Sequence, residues 1–211
     1  MAPWLTQVWQ IGPPEVVPDA EVIERPSSSL ATSAIGNQRG YYEPWPVVPV
    51  GTTEVLDDLP KKYAKEKVRA VAAEIAEFEG PIHVDRLASL TAASFGQNRL
   101  HEKKRQQIIR HIKATDLMVD ADGFVWPSDV DQATWVEFRP NDSKAEREFL
   151  QISPVEIANA ARFIQARHPE YSPKELEAAT LQTFGRKRRT RDVAAHLAKA
   201  SALLTANRSN P

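Results

Sequence analysis

The chain has 211 residues, 26% of them charged, and a net charge of −1, so it is long enough for one large or two small domains, and its overall charge does not point to nucleic acid. It contains no cysteine, which excludes disulfides, thiolate chemistry and any zinc site that needs sulfur ligands. No run approaches the roughly 18 apolar residues of a membrane span, and Met1-Ala2-Pro3-Trp4-Leu5 lacks the charged flank of a secretory signal, so we expect a cytoplasmic chain with no membrane partner.

Residues 1 to 60 hold nine of the sixteen prolines and form a lead-in segment without long helices. Its middle, Arg25 to Gly40, is polar and small enough to be flexible. The following stretch, Tyr41-Tyr42-Glu43-Pro44-Trp45-Pro46-Val47-Val48-Pro49-Val50, is too apolar to stay in water and is expected to lie as an extended strap on the folded body.

Residues 61 to 127 are expected to form a first unit. Val68, Val71, Ala72, Ile75 and Phe78 recur at helical spacing and stop at Gly80-Pro81, which predicts a helix over about 67 to 79. Two more follow, over about 84 to 95 and about 100 to 114, separated by Gly96 in a left-handed C-terminal position. Leu117-Met118-Val119 and Phe124-Val125-Trp126 then flank an Asp-Gly turn, the signal of a β-hairpin. Three helices and a hairpin give the winged-helix order, a variant of helix-turn-helix.

Residues 128 to 152 read as a connector packed on the first unit, with Trp135-Val136-Glu137-Phe138-Arg139-Pro140 alternating like a short strand. Residues 153 to 206 read as a second three-helix unit, and 207 to 211 as a tail. Ser153-Pro154-Val155-Glu156 and Ser172-Pro173-Lys174-Glu175 each supply an N-cap, a first-turn proline and a glutamate at the third helical position, which predicts helices over about 154 to 167 and 173 to 184; a third spans about 191 to 204.

An offset of 89 residues, without a gap, pairs Val68 with Ile157, Val71 with Ala160, Ala72 with Ala161, Ile75 with Ile164, Leu87 with Leu176, Thr91 with Thr180 and Ile108 with Leu197. It also pairs Phe95-Gly96 with Phe184-Gly185, and Arg99 with Arg188. Agreement at so many core positions implies two copies of one unit, the second without a wing. The expected fold is mainly α, with tandem helix-turn-helix (winged-helix-like) units and a small β-hairpin wing.

Glu79-Gly80-Pro81-Ile82-His83, the two Phe-Gly-x-x-Arg turns (Phe95 to Arg99 and Phe184 to Arg188) and Gly123-Phe124-Val125-Trp126-Pro127 resemble an uncharacterised bacterial domain family. That family stands at the C-terminus of very large superfamily-one helicase proteins, usually after a restriction-endonuclease-like domain. The resemblance covers about residues 60 to 205 and implies an accessory role in DNA processing or defence, with no defined activity. This chain carries neither a helicase nor a nuclease part, so it reads as a stand-alone relative or a severed piece.

Charge is concentrated where a helix-turn-helix unit would meet DNA, at the third helix. Gln97 to Thr115 carry six basic residues against Glu102, and Gly185 to Asn207 carry six against Asp192, a local charge of +5 each that leaves −11 on the remainder. Arg99, Lys103, Lys104, Arg186, Lys187, Arg188, Arg189 and Arg191 are the candidates to grip phosphate, with Asn98 and Gln107 as candidate base readers.

Catalysis and cofactors find no support in the residues. None of the eight glycines precedes a lysine, so a phosphate-binding Gly-Lys-Ser/Thr loop is absent, and no serine is flanked by glycines as in a nucleophile elbow. The five histidines, at 83, 101, 111, 168 and 196, form no ligand pair at helical spacing, and His83 is better placed to cap a helix than to act as a base. The expectation is therefore a non-enzymatic module, without cofactor or metal, that binds double-stranded DNA for a helicase or nuclease machine. The competing expectation is a module that docks onto a helicase or endonuclease partner.

Overall fold

The computed structural model describes residues 38–141 and 147–206; the expectations for residues 25 to 37 and for the tail lie outside them. The described chain is mainly helical, with seven α-helices and one small antiparallel sheet of two strands. The helices are α1 (Thr53–Asp57), α2 (Lys62–Glu79), α3 (Val84–Ser94), α4 (Glu102–Ile112), α5 (Pro154–Arg167), α6 (Pro173–Thr183) and α7 (Arg191–Ala206), and the strands are β1 (Ile82–His83) and β2 (Phe124–Val125).

Residues 38 to 52 contain no helix or strand and lie along the body, with Tyr42 and Trp45 buried. The backbone of this segment is tied down at both ends, Gly40 N–H donating to Phe138 O at 2.8 Å and Val50 N–H to Ser94 O at 2.8 Å. The short helix α1, unforeseen in the proline-rich lead-in, follows because Val55 and Leu56 face inward together with Leu59.

The 89-residue offset reappears in the helices. α3 and α6 begin and end 89 residues apart, and so do the starts of α4 and α7. Both middle helices stop in the same way: Gly96 (φ +82°) and Gly185 (φ +69°) take the left-handed position, while Gln97 N–H reaches back to Ala92 O at 3.0 Å and Arg186 N–H to Leu181 O at 2.9 Å. Even the buried hydroxyls repeat, Thr91 donating to Leu87 O at 2.8 Å and Thr180 to Leu176 O at 2.7 Å.

Tertiary packing is less symmetric. In the first half α2, α3 and α4 all pack on one another around Val68, Ala72, Ile75, Leu87, Phe95, Ile108 and Ile112. In the second half α6 and α7 pack chiefly on α5 around Ile157, Ala160, Leu181, Phe184, Val193 and Leu197.

The hairpin around the Asp-Gly turn forms as expected: Val119 bridges Val125, Asp120 N–H donates to Phe124 O at 2.9 Å and Trp126 N–H to Met118 O at 3.0 Å, while β2 also pairs with β1, in the register Ile82↔Val125 and His83↔Phe124. One sequence expectation needs correction. The connector is not packed on the first unit alone, since Phe138, Phe149 and Ile152 lie in the second core, where the second unit has too few large side chains of its own. Trp135 still faces the first unit, edge-on to Trp126 at 5.4 Å.

A buried charged cluster joins the halves. Glu156 on α5 is fully buried; it accepts from Arg147 Nη1 at 2.8 Å, from the Arg139 backbone N–H at 2.7 Å and from Arg139 Nη2 at 3.1 Å. Arg139 Nη1 continues across to the carbonyls of Glu79 (2.9 Å) and Gly80 (3.0 Å) at the end of α2. Glu79 itself, 2% exposed, accepts from the Tyr42 hydroxyl at 2.9 Å and from Trp45 N–H at 3.0 Å, and pairs with Arg86 on α3. Glycine is required at position 80, where a Cβ would stand 2.5 Å from Ala76 O and 2.6 Å from the Pro127 ring.

Candidate nucleic-acid interface

The residues expected to grip phosphate fall into two groups with different fates. After Gly185 the chain has no apolar side chain to bury until Val193, so Arg186, Lys187, Arg188, Arg189 and Thr190 form an exposed connection into α7. Thr190 starts that helix, its backbone carbonyl accepting from Ala194 N–H at 2.9 Å. Arg191 occupies the first helical turn and is exposed. Arg189 leans on Glu177 of α6 at 2.6 Å. Among the described residues, no carboxylate lies within ion-pairing distance of Arg186, Lys187, Arg188 or Arg191.

The first group is thinner. Asn98, Arg99 and Lys103 are exposed around the start of α4, and Gln107 is half-buried. Lys104 is drawn inward, its ammonium donating to Leu56 O at 2.7 Å and to Asp57 at 3.0 Å, so it holds the C-terminal end of α1. Its counterpart at the 89-residue offset is Val193, a buried core residue, so position 104 faces the body rather than solvent. Lys199, which contributed to the second basic count, is also committed, at 2.5 Å from Asp122.

That ion pair belongs to a contact between α7 and the turn before β2. Asp120 organises the turn: its Oδ1 accepts from the backbone N–H groups of Asp122 and Phe124, both at 2.9 Å, and its Oδ2 from the Trp126 indole at 2.9 Å. Gly123 sits at φ +83°, as the Asp-Gly pattern predicts. Phe124 lies between two histidines, 5.2 Å from the His83 ring and 6.5 Å from the His196 ring. His83 caps α3, its Nδ1 accepting from Asp85 N–H at 3.3 Å, and His196 Nε2 pairs with Ile152 O at 2.8 Å. Burial holds both rings below the usual histidine range.

Among the described residues no group of three or more His, Asp or Glu side chains could hold a metal ion, and no helix is long and apolar enough to cross a membrane. A largely apolar groove of about 330 Å³, unforeseen from the sequence, opens between α6 and the C-terminal half of α7.

The class these features define is a mainly helical chain of two related three-helix halves, with an exposed basic connection ahead of the last helix. Residues 57–106, from the end of α1 into α4, match the family described as "Protein of unknown function (DUF3320)". No curated protein and no solved structure matches the chain.

Proposed function

We propose that this chain binds double-stranded DNA through the basic connection ahead of α7, as an accessory of a helicase- or nuclease-type system. The observation that carries the reading is the set of four cations, Arg186, Lys187, Arg188 and Arg191, exposed and without carboxylate partners among the described residues, on a chain of net charge −1. These cations are left to solvent, as phosphate contacts require. Arg189, on the rim beside Glu177, adds to the same patch. Arg99 and Lys103 form the weaker counterpart at α4, with Asn98 and Gln107 near enough to read base edges.

In this reading α3 with α4, and α6 with α7, act as helix-turn-helix pairs, and β1, Val119 and β2 make the first of them winged-helix-like. The turn at Asp120–Gly123 is held by Lys199 of α7 and is not offered to the groove of DNA, so recognition rests on the helix starts rather than on the wing. The resemblance to the helicase-associated family supports the assignment to DNA processing. Changing Arg186, Lys187, Arg188 and Arg189 to Glu tests the patch: binding to duplex DNA at low salt should fall at least a hundredfold, with the helical circular dichroism spectrum unchanged. Undiminished binding by that variant would exclude the second patch as the DNA site.

A further inference from the structure

A further cluster of cations spans α2 and α4 in the first half. Lys65 and Arg69 stand one helical turn apart on α2, beside the buried Val68. α4 packs against α2 and carries Arg110 and His111 next to its buried Ile108 and Ile112, so that Arg69, Lys65 and Arg110 all act on the His111 ring. Lys65, Arg69 and His111 are half-buried, and Arg110 is exposed.

Among the described residues none of these four side chains has a hydrogen-bond or ion-pair partner, and the Nε of Arg69 is shut off from solvent without an acceptor. Glu66, next to Lys65 in the chain, is turned to Lys62 at 3.8 Å. Like charges gathered without a counter-charge repel one another, and an anion set among them relieves that cost.

We propose that Lys65, Arg69, Arg110 and His111 form a phosphate-binding surface of the first half, which holds the backbone of duplex DNA. This surface, which rests on the DNA-binding reading above, adds a contact that the basic connection ahead of α7 does not make. Its position favours a phosphodiester backbone over an acidic protein. Arg110 continues, at helical spacing, the face of α4 that carries Lys103 and Gln107, so the cluster flanks side chains already assigned to DNA.

Occupation of the surface carries a signature in His111. Burial first, then Arg69, Lys65 and Arg110, hold its pKa below the ordinary 6.5 in the free chain. These cations, from α2 and from α4 itself, are the charged groups that face it; α3, which also packs on α4, adds none. A phosphate among them offsets the cations and draws a proton onto the ring. The bound value is then the higher one, so duplex affinity is flat above it, rises as pH falls through it, and levels off below the free value.

The test is NMR of the His111 ring in the full chain, free and saturated with a short duplex. The duplex is expected to raise the His111 midpoint by about one unit, a tenfold change in its protonation equilibrium, while His168, which faces Glu170 in the second half, keeps its own. Changing Lys65 and Arg69 together to Gln, which keeps helix propensity, should weaken duplex binding by about tenfold or more and reduce the His111 shift, with the helical spectrum unchanged.

The variant with Arg186, Lys187, Arg188 and Arg189 changed to Glu, saturated at lower salt, should still show the shift, so the two surfaces are told apart. A parent that binds duplex without moving His111, or a Lys65 and Arg69 variant that binds as tightly as the parent, would overturn this surface and leave the basic connection standing. A parent that binds no duplex at any pH would overturn both. Movement of His111 by polyglutamate as large as that by DNA would assign the surface to an acidic protein and overturn the phosphate contact.

Discussion

Glu156 shows how one residue can satisfy a sequence pattern and serve another purpose. Ser153-Pro154-Val155-Glu156 reads as a capping box, and Ser153 does cap α5 by accepting from Val155 N–H at 3.2 Å. The glutamate turns inward, because two guanidinium groups offer it far more than one backbone N–H. At Ser172 the full box forms with Glu175. Burial alone would raise the Glu156 pKa, but Arg139 and Arg147 outweigh it and hold the carboxyl at about 2, against an ordinary value of 4.5. Because the folded value is the lower one, the stability this group contributes is full above about pH 4.5 and is lost as pH falls toward 2. Glu156→Gln should cost about 3 kcal/mol in urea unfolding at pH 7, by leaving two buried cations short of charge, and should remove that part of the acid dependence. An unchanged midpoint would show that the cluster contributes nothing net. The cluster was illegible in the sequence because its members, at 42, 79, 86, 139, 147 and 156, come from distant segments and share no spacing.

At the scale of elements, what is local was readable and what is long-range was not. The predicted ends of α3, α5 and α6 fall within a residue of the observed ones, because caps, first-turn prolines and C-terminal glycines are local signals. The turn at Asp120–Gly123 was readable for the same reason. β1 was not, since two residues between Pro81 and α3 carry no strand signal and become a strand only through β2. Gly123→Val should destabilise the chain by on the order of 1 kcal/mol, because a β-branched residue is strained at φ +83°. Asp120→Ala should cost more, about 2 kcal/mol, because the buried Trp126 indole and two backbone N–H groups lose their acceptor together. Urea unfolding curves of the two variants check the order; a costlier Gly123 change would mean that backbone strain, not the Asp120 carboxylate, governs the turn.

At the scale of the whole molecule, the two described halves share helices at an 89-residue offset and differ in what they expose. The first copy is closed by its own hairpin and has drawn Lys104 inward to hold α1, whereas the second leaves both its basic connection and its groove exposed. The 89-residue offset and the charge were legible in the sequence, but a local count of +5 could not separate cations held by Asp57, Asp122 or Glu177 from those left to solvent. That division makes the second copy the stronger DNA candidate. The most direct test is the affinity for a duplex measured against salt concentration. With about five phosphates neutralised, counterion release predicts a slope of log K on log salt near −4.5, so raising salt from about 50 to about 200 mM should weaken binding by a factor of order 10² to 10³. Binding that is absent, or that ignores salt over this range, would contradict the account.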